Sequence, residues 1–173
     1  MGPPVCLDGL RMLSYGLYIL TSRDGDRLNG QIINTAIQVT SEPPRVAVVV
    51  HKMNLTTELI EQSRLFAVCV LAESTPLTFI GLFGFRSGRD IDKFAKTPYR
   101  TGVSTCPLVT EHTLAHLEAR VTDRMDLGTH IIYIGDLVHS EVQVDGRPMT
   151  YRHYHEVLGG KTSRNAPSFM SPR

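Results

Sequence analysis

Two hydrophobic rhythms run along this chain. Val46-Ala47-Val48-Val49-Val50 and Leu65-Phe66-Ala67-Val68-Cys69-Val70-Leu71 are unbroken apolar runs, as expected of strands buried on both faces. Farther on, Ala115, Leu117, Ala119 and Val121 alternate with His116, Glu118, Arg120 and Thr122. That period of two predicts a strand with one buried face and one wet face. Tyr15-Gly16-Leu17-Tyr18-Ile19-Leu20 is rich in aromatic and branched residues and predicts another strand. The turn Arg23-Asp24-Gly25-Asp26 follows, its Asp-Gly pair supplying left-handed geometry. A second strand is expected from near Leu28 toward Val39. Glu42-Pro43-Pro44 stops it, because proline cannot donate to a ladder. Asp126-Leu127-Gly128 turns the chain into a return strand over residues 129–138, and Asp145-Gly146-Arg147-Pro148 predicts a further turn.

The helical signals are short. Asn54 is placed to cap a helix over residues 55–63, with Leu55, Leu59 and Ile60 on one face. Pro76 opens a second helix carrying Leu77, Ile80 and Phe83, and residues 90–95 predict one more helical turn. Six or seven strands against two or three short helices make a mainly β chain with short α-helices and antiparallel neighbours. Closing such a sheet into a barrel, fully or nearly, removes its exposed edges.

The 173 residues suffice for one domain with a real core. Residues 1–158 are expected to form it, and residues 159–173, rich in Gly, Ser, Pro, Lys and Arg, to form an extended tail. Eighteen basic against 17 acidic residues leave a net charge of +1, which argues against a dedicated nucleic-acid binder. No apolar run approaches the ~18–20 residues of a membrane span. Met1-Gly2-Pro3-Pro4 lacks the basic start and apolar stretch of a signal peptide. A cytoplasmic protein with neither nucleic acid nor membrane as partner is expected. Cys6, Cys69 and Cys106 include no Cys-x-x-Cys pair, so they build no rubredoxin, iron–sulfur or zinc-ribbon site. Cys69, inside an apolar run, reads as a small buried thiol.

Several chemical signatures are excluded. The chain has no Gly-x-Gly-x-x-Gly and no Gly-x-Ser-x-Gly. Gly160-Lys161-Thr162 mimics the end of a P-loop, but His155 stands where its first glycine belongs. His112 with His116, and His153 with His155, lack a supporting ligand set, so no metal is expected. Three segments remain, each with two readings. Asn29-Gly30-Gln31-Ile32-Ile33-Asn34-Thr35-Ala36 is either a bulged edge strand or a strand that hydrogen-bonds a flat heterocycle. Lys52-x-Asn54-x-Thr56 is either an ordinary capped helix start or a site for one phosphate. Phe85-Arg86-Ser87-Gly88-Arg89-Asp90-x-x-Lys93-Phe94 is either a solvated loop or a functional loop pairing cations and a hydroxyl with aromatics.

A set of ordered motifs goes further. These are Ser14-Tyr15-Gly16-Leu17-Tyr18-Ile19, Gly30-Gln31-Ile32-x-Asn34-Thr35 and Gln38-x-Thr40-Ser41-x-Pro43. Phe79-Ile80-Gly81-x-Phe83-Gly84-Phe85, Lys93-Phe94, Gly128-Thr129-His130, Thr150-Tyr151-x-x-Tyr154-His155 and Gly160-Lys161-Thr162 follow. In this order and spacing, over residues 14–167, the chain resembles the flavin reductase-like family, whose members bind FMN in a split β-barrel. The resemblance extends to a subgroup comprising a small ferric reductase and the flavin domain of high-molecular-weight rubredoxin.

The resemblance implies an antiparallel Greek-key split β-barrel that binds FMN, takes NAD(P)H as a transient co-substrate and forms a homodimer. It implies that Gln31, Ile32, Asn34, Thr35 and Ala36 contact the isoalloxazine ring. Lys52, Asn54 and Thr56 would lie at the phosphate, with Lys93 close by, and the loop would add Phe85 and Ser87. His130 would stand at the nicotinamide side as the catalytic residue, a structural role being the other reading. The implied activity is an NAD(P)H oxidoreductase passing electrons through FMN to ferric chelate, free flavin or a small redox protein. An FMN-binding electron-transfer protein without NAD(P)H activity, and a barrel that has lost its flavin, are the other readings.

Overall fold

The computed structural model describes residues 5–169. Residues 1–4, on which the signal-peptide reading falls, and residues 170–173, the end of the expected tail, lie outside the described residues. After a 3-10 helix at Leu7–Met12, the first half of the chain runs β1 (Tyr18–Asp24), β2 (Arg27–Ile33), β3 (Ala36–Ser41), β4 (Pro44–His51), α1 (Leu55–Ser63), β5 (Leu65–Leu71) and α2 (Leu77–Phe85). The second half runs β6 (Tyr99–Thr101), β7 (Pro107–Val109), β8 (Thr113–Asp126), β9 (His130–Val142) and α3 (Tyr151–Glu156). Seven strands form one sheet in the order β2-β1-β5-β8-β9-β4-β3, every pairing antiparallel, and β6-β7 is a separate hairpin.

The sheet curls on itself. Ile33 of β2 and Val46, Val48 and Val50 of β4 stand near opposite ends of the strand order, yet they share one buried cluster with Leu20, Phe66, Val68, Val121 and Tyr133. That cluster fills the barrel. A second cluster lies on the outer face of β1 and β5, where Ile19, Cys69 and Leu71 pack against Ile80 and Phe83 of α2, Val109, and Tyr154 of α3. β1 and β5 are therefore buried on both sides, which is why they read as continuous apolar runs. Each fully buried Leu, Ile or Phe contributes about 1.5–3 kcal/mol of transfer free energy.

Three expectations change. The single strand expected from Leu28 to Val39 is two strands, because Asn34 and Thr35 break the ladder. β2 pairs with β1 and β3 pairs with β4, so two consecutive strands take opposite edges of the sheet. The barrel is split between them. Residues 90–95 form turns rather than a helical turn: Asp92 turns its carboxylate back to accept from the Phe94 N–H, which competes with helix formation.

The wet face predicted for β8 is the third. His116 and Glu118 are fully buried. The β6-β7 hairpin and its connecting loop cover them: Glu118 accepts from the N–H groups of Val103 and Ser104 and from the Ser104 hydroxyl. His116 stands 2.7 Å from the Val109 carbonyl oxygen and 3.0 Å from a Glu141 carboxylate oxygen. The alternation was real, but a second layer seals the polar face. Cys69 and Cys106 are buried free thiols, and burial pushes Cys69 up to about 12. Among the described residues no helix is long and apolar enough to cross a membrane.

Candidate functional site

A cavity of about 540 Å³ opens beside the split in the barrel, within the range usual for small-molecule sites. Its floor comes from β2 and α2. Asn29, Gln31, Ile32 and Asn34 line it, with Ile80, Phe83 and Gly84 beneath. The backbone at Gly30 passes close to α2, where a Cβ would stand 3.0 Å from the Phe83 ring. One wall is the start of α1, where Asn54 and Leu55 line the cavity and the positive end of the helix dipole points into it.

A second wall is the loop after α2, with Phe85, Arg86, Ser87, Gly88 and Arg89. The loop passes so close to β2 that a Cβ on Gly88 would stand 2.0 Å from Asn29 Oδ1. Asn29 is itself held from behind, donating Nδ2 to the buried Thr56 hydroxyl at 2.8 Å. Arg89 is anchored to Glu58 on α1. Lys93 is 4% exposed, its ammonium donating to the Gly30 carbonyl at 2.8 Å and the Phe83 carbonyl at 3.2 Å. An ammonium has three N–H donors, so one remains. Burial pushes Lys93 down to about 8.

The roof is the segment expected to be an extended tail. Residues 161–167 line the cavity. Asn165 donates Nδ2 to Asn54 Oδ1 at 2.9 Å, and Asn34 donates Nδ2 to the Ser168 hydroxyl at 2.6 Å. The Tyr154 hydroxyl donates to the Lys161 carbonyl at 2.9 Å, and the Tyr151 and Thr162 hydroxyls lie 2.6 Å apart. The segment is a strap pinned to α1, to the β2–β3 junction and to α3.

The sequence candidates divide. Gln31, Ile32, Asn34, Asn54, Phe85, Ser87 and Lys93 line the one cavity. Thr56 sits behind Asn29 and acts through it. Thr35 and Ala36 are not among the lining residues: the Thr35 hydroxyl donates to Asn34 Oδ1, and Ala36 packs on the barrel core. Lys52 is also outside it, its ammonium 2.6 Å from an Asp126 carboxylate oxygen. Arg89 is carboxylate-paired as well, so it is its place outside the lining that sets Lys52 apart from the other phosphate candidates.

His130 is not a lining residue; His51, its cross-strand partner, is. The two rings meet edge to face with centroids 4.9 Å apart. Met53 N–H donates to His51 Nδ1 at 3.2 Å, so the neutral ring keeps its proton on Nε2. Burial, then the nearby His130, hold His51 below the usual histidine range. His130 Nε2 lies 3.3 Å from the Asn165 carbonyl, an acceptor only, so that nitrogen is the donor. Sequence reasoning missed His51 and the strap; Asn29 opened the segment given a heterocycle-binding reading but was not carried into the ring contacts. A signal for His51 existed in its place at the end of a strand, but its partner is far away in sequence.

Two features define what the cavity can hold. Among the described residues five that carry a cation line it, Arg86, Arg89, Lys93, Lys161 and Arg164, and none that carries a carboxylate does. Gln31 Oε1 is buried without a hydrogen-bond partner. An orphaned acceptor at this depth is costly unless a ligand donor meets it. An apolar floor, an orphaned amide acceptor and an anion-selective rim fit a flat heterocycle that bears an N–H donor and a phosphate.

A family profile described as Flavin reductase like domain matches residues 10–158. The high molecular weight rubredoxin of Moorella thermoacetica is 48% identical over 164 residues, spanning 95% of this chain and 72% of that protein. The ferric-chelate reductase (NAD(P)H) of Archaeoglobus fulgidus is 43% identical over 161 residues, 93% of this chain and 95% of that protein. Among solved structures, an FMN-binding protein from Thermus thermophilus with bound 1-cyclohex-2-enone has a TM-score of 0.77 and 21% identity, covering 99% of this chain and 97% of that one. At that identity the likeness speaks for the fold.

Proposed function

Because the chain belongs to the flavin reductase-like family, we propose that it is an FMN-dependent NAD(P)H oxidoreductase delivering electrons to a ferric chelate. The observation that carries this reading is the cavity itself, rimmed by cations and by no carboxylate among the described residues, with Gln31, whose buried Oε1 has no hydrogen-bond partner among them, in its lining. Gln31, Ile32 and Asn34 would hold the isoalloxazine ring, and Ser87, Arg89, Lys93 and the start of α1 its phosphate. Compact anion candidates favour FMN over FAD. The flavin supplies the chemistry when bound, accepting a hydride and releasing electrons singly.

The chain's own residues bind and orient. The floor of half-buried Ile32 with buried Ile80 and Phe83 keeps water from the ring face. His51, with its proton fixed on Nε2, offers a donor at the cavity wall, and His130 holds both that ring and the strap. The ferric acceptor is supported by the 43%-identical relative named ferric-chelate reductase (NAD(P)H). Free flavin and a small redox protein are the other acceptors. A homodimer is supported by edge strand β3, which leaves Ile37 and Val39 exposed.

FMN-loaded protein supplied with NADPH or NADH and a ferric chelate, under argon, tests the acceptor. Ferrous iron trapped by a chromogenic chelator at a rate proportional to enzyme is expected. Oxidation of NAD(P)H with free FMN but not with ferric chelate would overturn the ferric assignment.

A further inference from the structure

The rim of the cavity carries more positive charge than one flavin phosphate uses. Arg89 is tied to Glu58, Lys93 is buried beneath the loop, and the start of α1 stands beside them. That group forms one anion site. Lys161 and Arg164 belong to a different element, the strap. Neither side chain has an ion-pair or hydrogen-bond partner among the described residues, and the cavity they line contains no carboxylate. Their placement is nevertheless fixed through the backbone. Lys161 is gripped on both sides of its peptide, its N–H donating to the Tyr154 hydroxyl at 3.2 Å and its carbonyl accepting from it at 2.9 Å. Arg164 immediately precedes Asn165, which binds Asn54 with its side chain and faces His130 with its carbonyl. The strap therefore delivers two free cations to the cavity, Arg164 beside the residue whose carbonyl meets His130.

Flavin mononucleotide has a single phosphate. Two further cations, ordered by contacts that leave their charges free, imply a second anionic ligand in the same cavity. We propose that Lys161 and Arg164 form the phosphate-binding subsite for the pyridine dinucleotide, and that the strap is thereby a specificity element for the hydride donor. This rests on the NAD(P)H reading above. Two phosphate sources share this chemistry, the diphosphate common to both dinucleotides and the 2′-phosphate of NADP(H) alone. The guanidinium of Arg164 suits bidentate pairing with either.

The test uses FMN-loaded full-length protein and its variants Arg164→Ala, Arg164→Glu and Lys161→Ala. Calorimetric titration with NADP+ and NAD+ is paired with a separate FMN titration of the apoprotein. Arg164→Ala should weaken NADP+ binding about tenfold, and Arg164→Glu further, while the FMN Kd moves by less than about threefold. A loss shared by NAD+ assigns the diphosphate, and a loss confined to NADP+ assigns the 2′-phosphate. Either supports the subsite. Unchanged dinucleotide affinity in all three variants would overturn it, as would a loss of FMN affinity with dinucleotide binding intact. Failure of the parent reading looks different: wild-type protein would then bind neither dinucleotide and would not be reduced by either.

Discussion

Asn165 donates its Nδ2 to Asn54 Oδ1 at 2.9 Å, joining the strap to the start of α1 across 111 residues of sequence. Asn54 occupies the N-cap position of α1 with extended backbone, yet its side chain makes no capping bond. The helix start is served instead by the Asn54 carbonyl, which accepts from Thr57 N–H, and by the Thr57 hydroxyl, which donates to the His51 carbonyl. The side chain is thus free to latch the cavity roof. Asn165→Ala should loosen the strap without unfolding the barrel. The expected outcome is a flavin dissociation rate raised about three- to tenfold, consistent with loss of one hydrogen bond of about 1 kcal/mol, with a melting temperature within about 2 °C of wild type. Stopped-flow flavin release and calorimetry read the two quantities.

Much of the barrel was legible because burial on both faces writes itself as unbroken apolar runs, as in β4 and β5. What escaped was tertiary. His116 and Glu118 obey a perfect alternation and are nonetheless buried, because a hairpin from elsewhere covers the outer face of β8. Period two reports which residues share a face, not what lies over it. The same limit applied to the site. Gln31, Asn34 and Lys93 stood in segments whose polarity left two readings open until the resemblance chose between them, whereas Lys52 looked equally suitable but does not line the cavity. The strap's composition predicted an extended tail, but nothing in a Gly- and Ser-rich stretch names its partners on three separate elements.

Glu118 gives a stability prediction. Its carboxylate holds the Val103–Ser104 backbone and the Ser104 hydroxyl inside a sealed layer. Glu118→Ala leaves those donors without partners and should cost about 3 kcal/mol. Glu118→Gln keeps one acceptor oxygen and should cost less. Urea denaturation of both variants provides the comparison; equal and small losses would mean that water replaces the carboxylate.

On the proposed flavin site, Lys93 should make flavin binding pH-dependent. Burial lowers its pKa to about 8 in the free protein, and a phosphate beside it favours the charged form, raising that pKa on binding. The complex therefore takes up a proton. FMN affinity should be greatest below pH 8 and decline as pH rises above it, by at most about tenfold per pH unit. Lys93→Met should weaken binding at pH 7 and flatten the profile between pH 7 and 9.5. A profile identical to wild type in that variant would remove Lys93 from the phosphate site.

His130 touches the strap and His51 rather than the cavity, so on the proposed reading its part in hydride transfer would be to position. His130→Ala should leave FMN content nearly intact and slow reduction by NAD(P)H about ten- to a hundredfold, a change of about 1.4–2.8 kcal/mol in the barrier. His130→Gln, which keeps a donor for the Asn165 carbonyl, should recover part of the rate. Reduction of the bound flavin by dithionite should be unaffected in both. A wild-type NAD(P)H rate in His130→Ala would end the assignment.

The central claim is that this cavity brings a pyridine nucleotide and a flavin together. Its most direct test is a single turnover: FMN-loaded protein mixed with excess NADPH, and separately NADH, without oxygen or any acceptor, followed by flavin absorbance. Full bleaching of the flavin, with one equivalent of dinucleotide oxidised per flavin, is predicted for at least one donor. Flavin that stays oxidised with both, yet bleaches at once with dithionite, would contradict the account and leave an FMN-binding electron-transfer protein in its place.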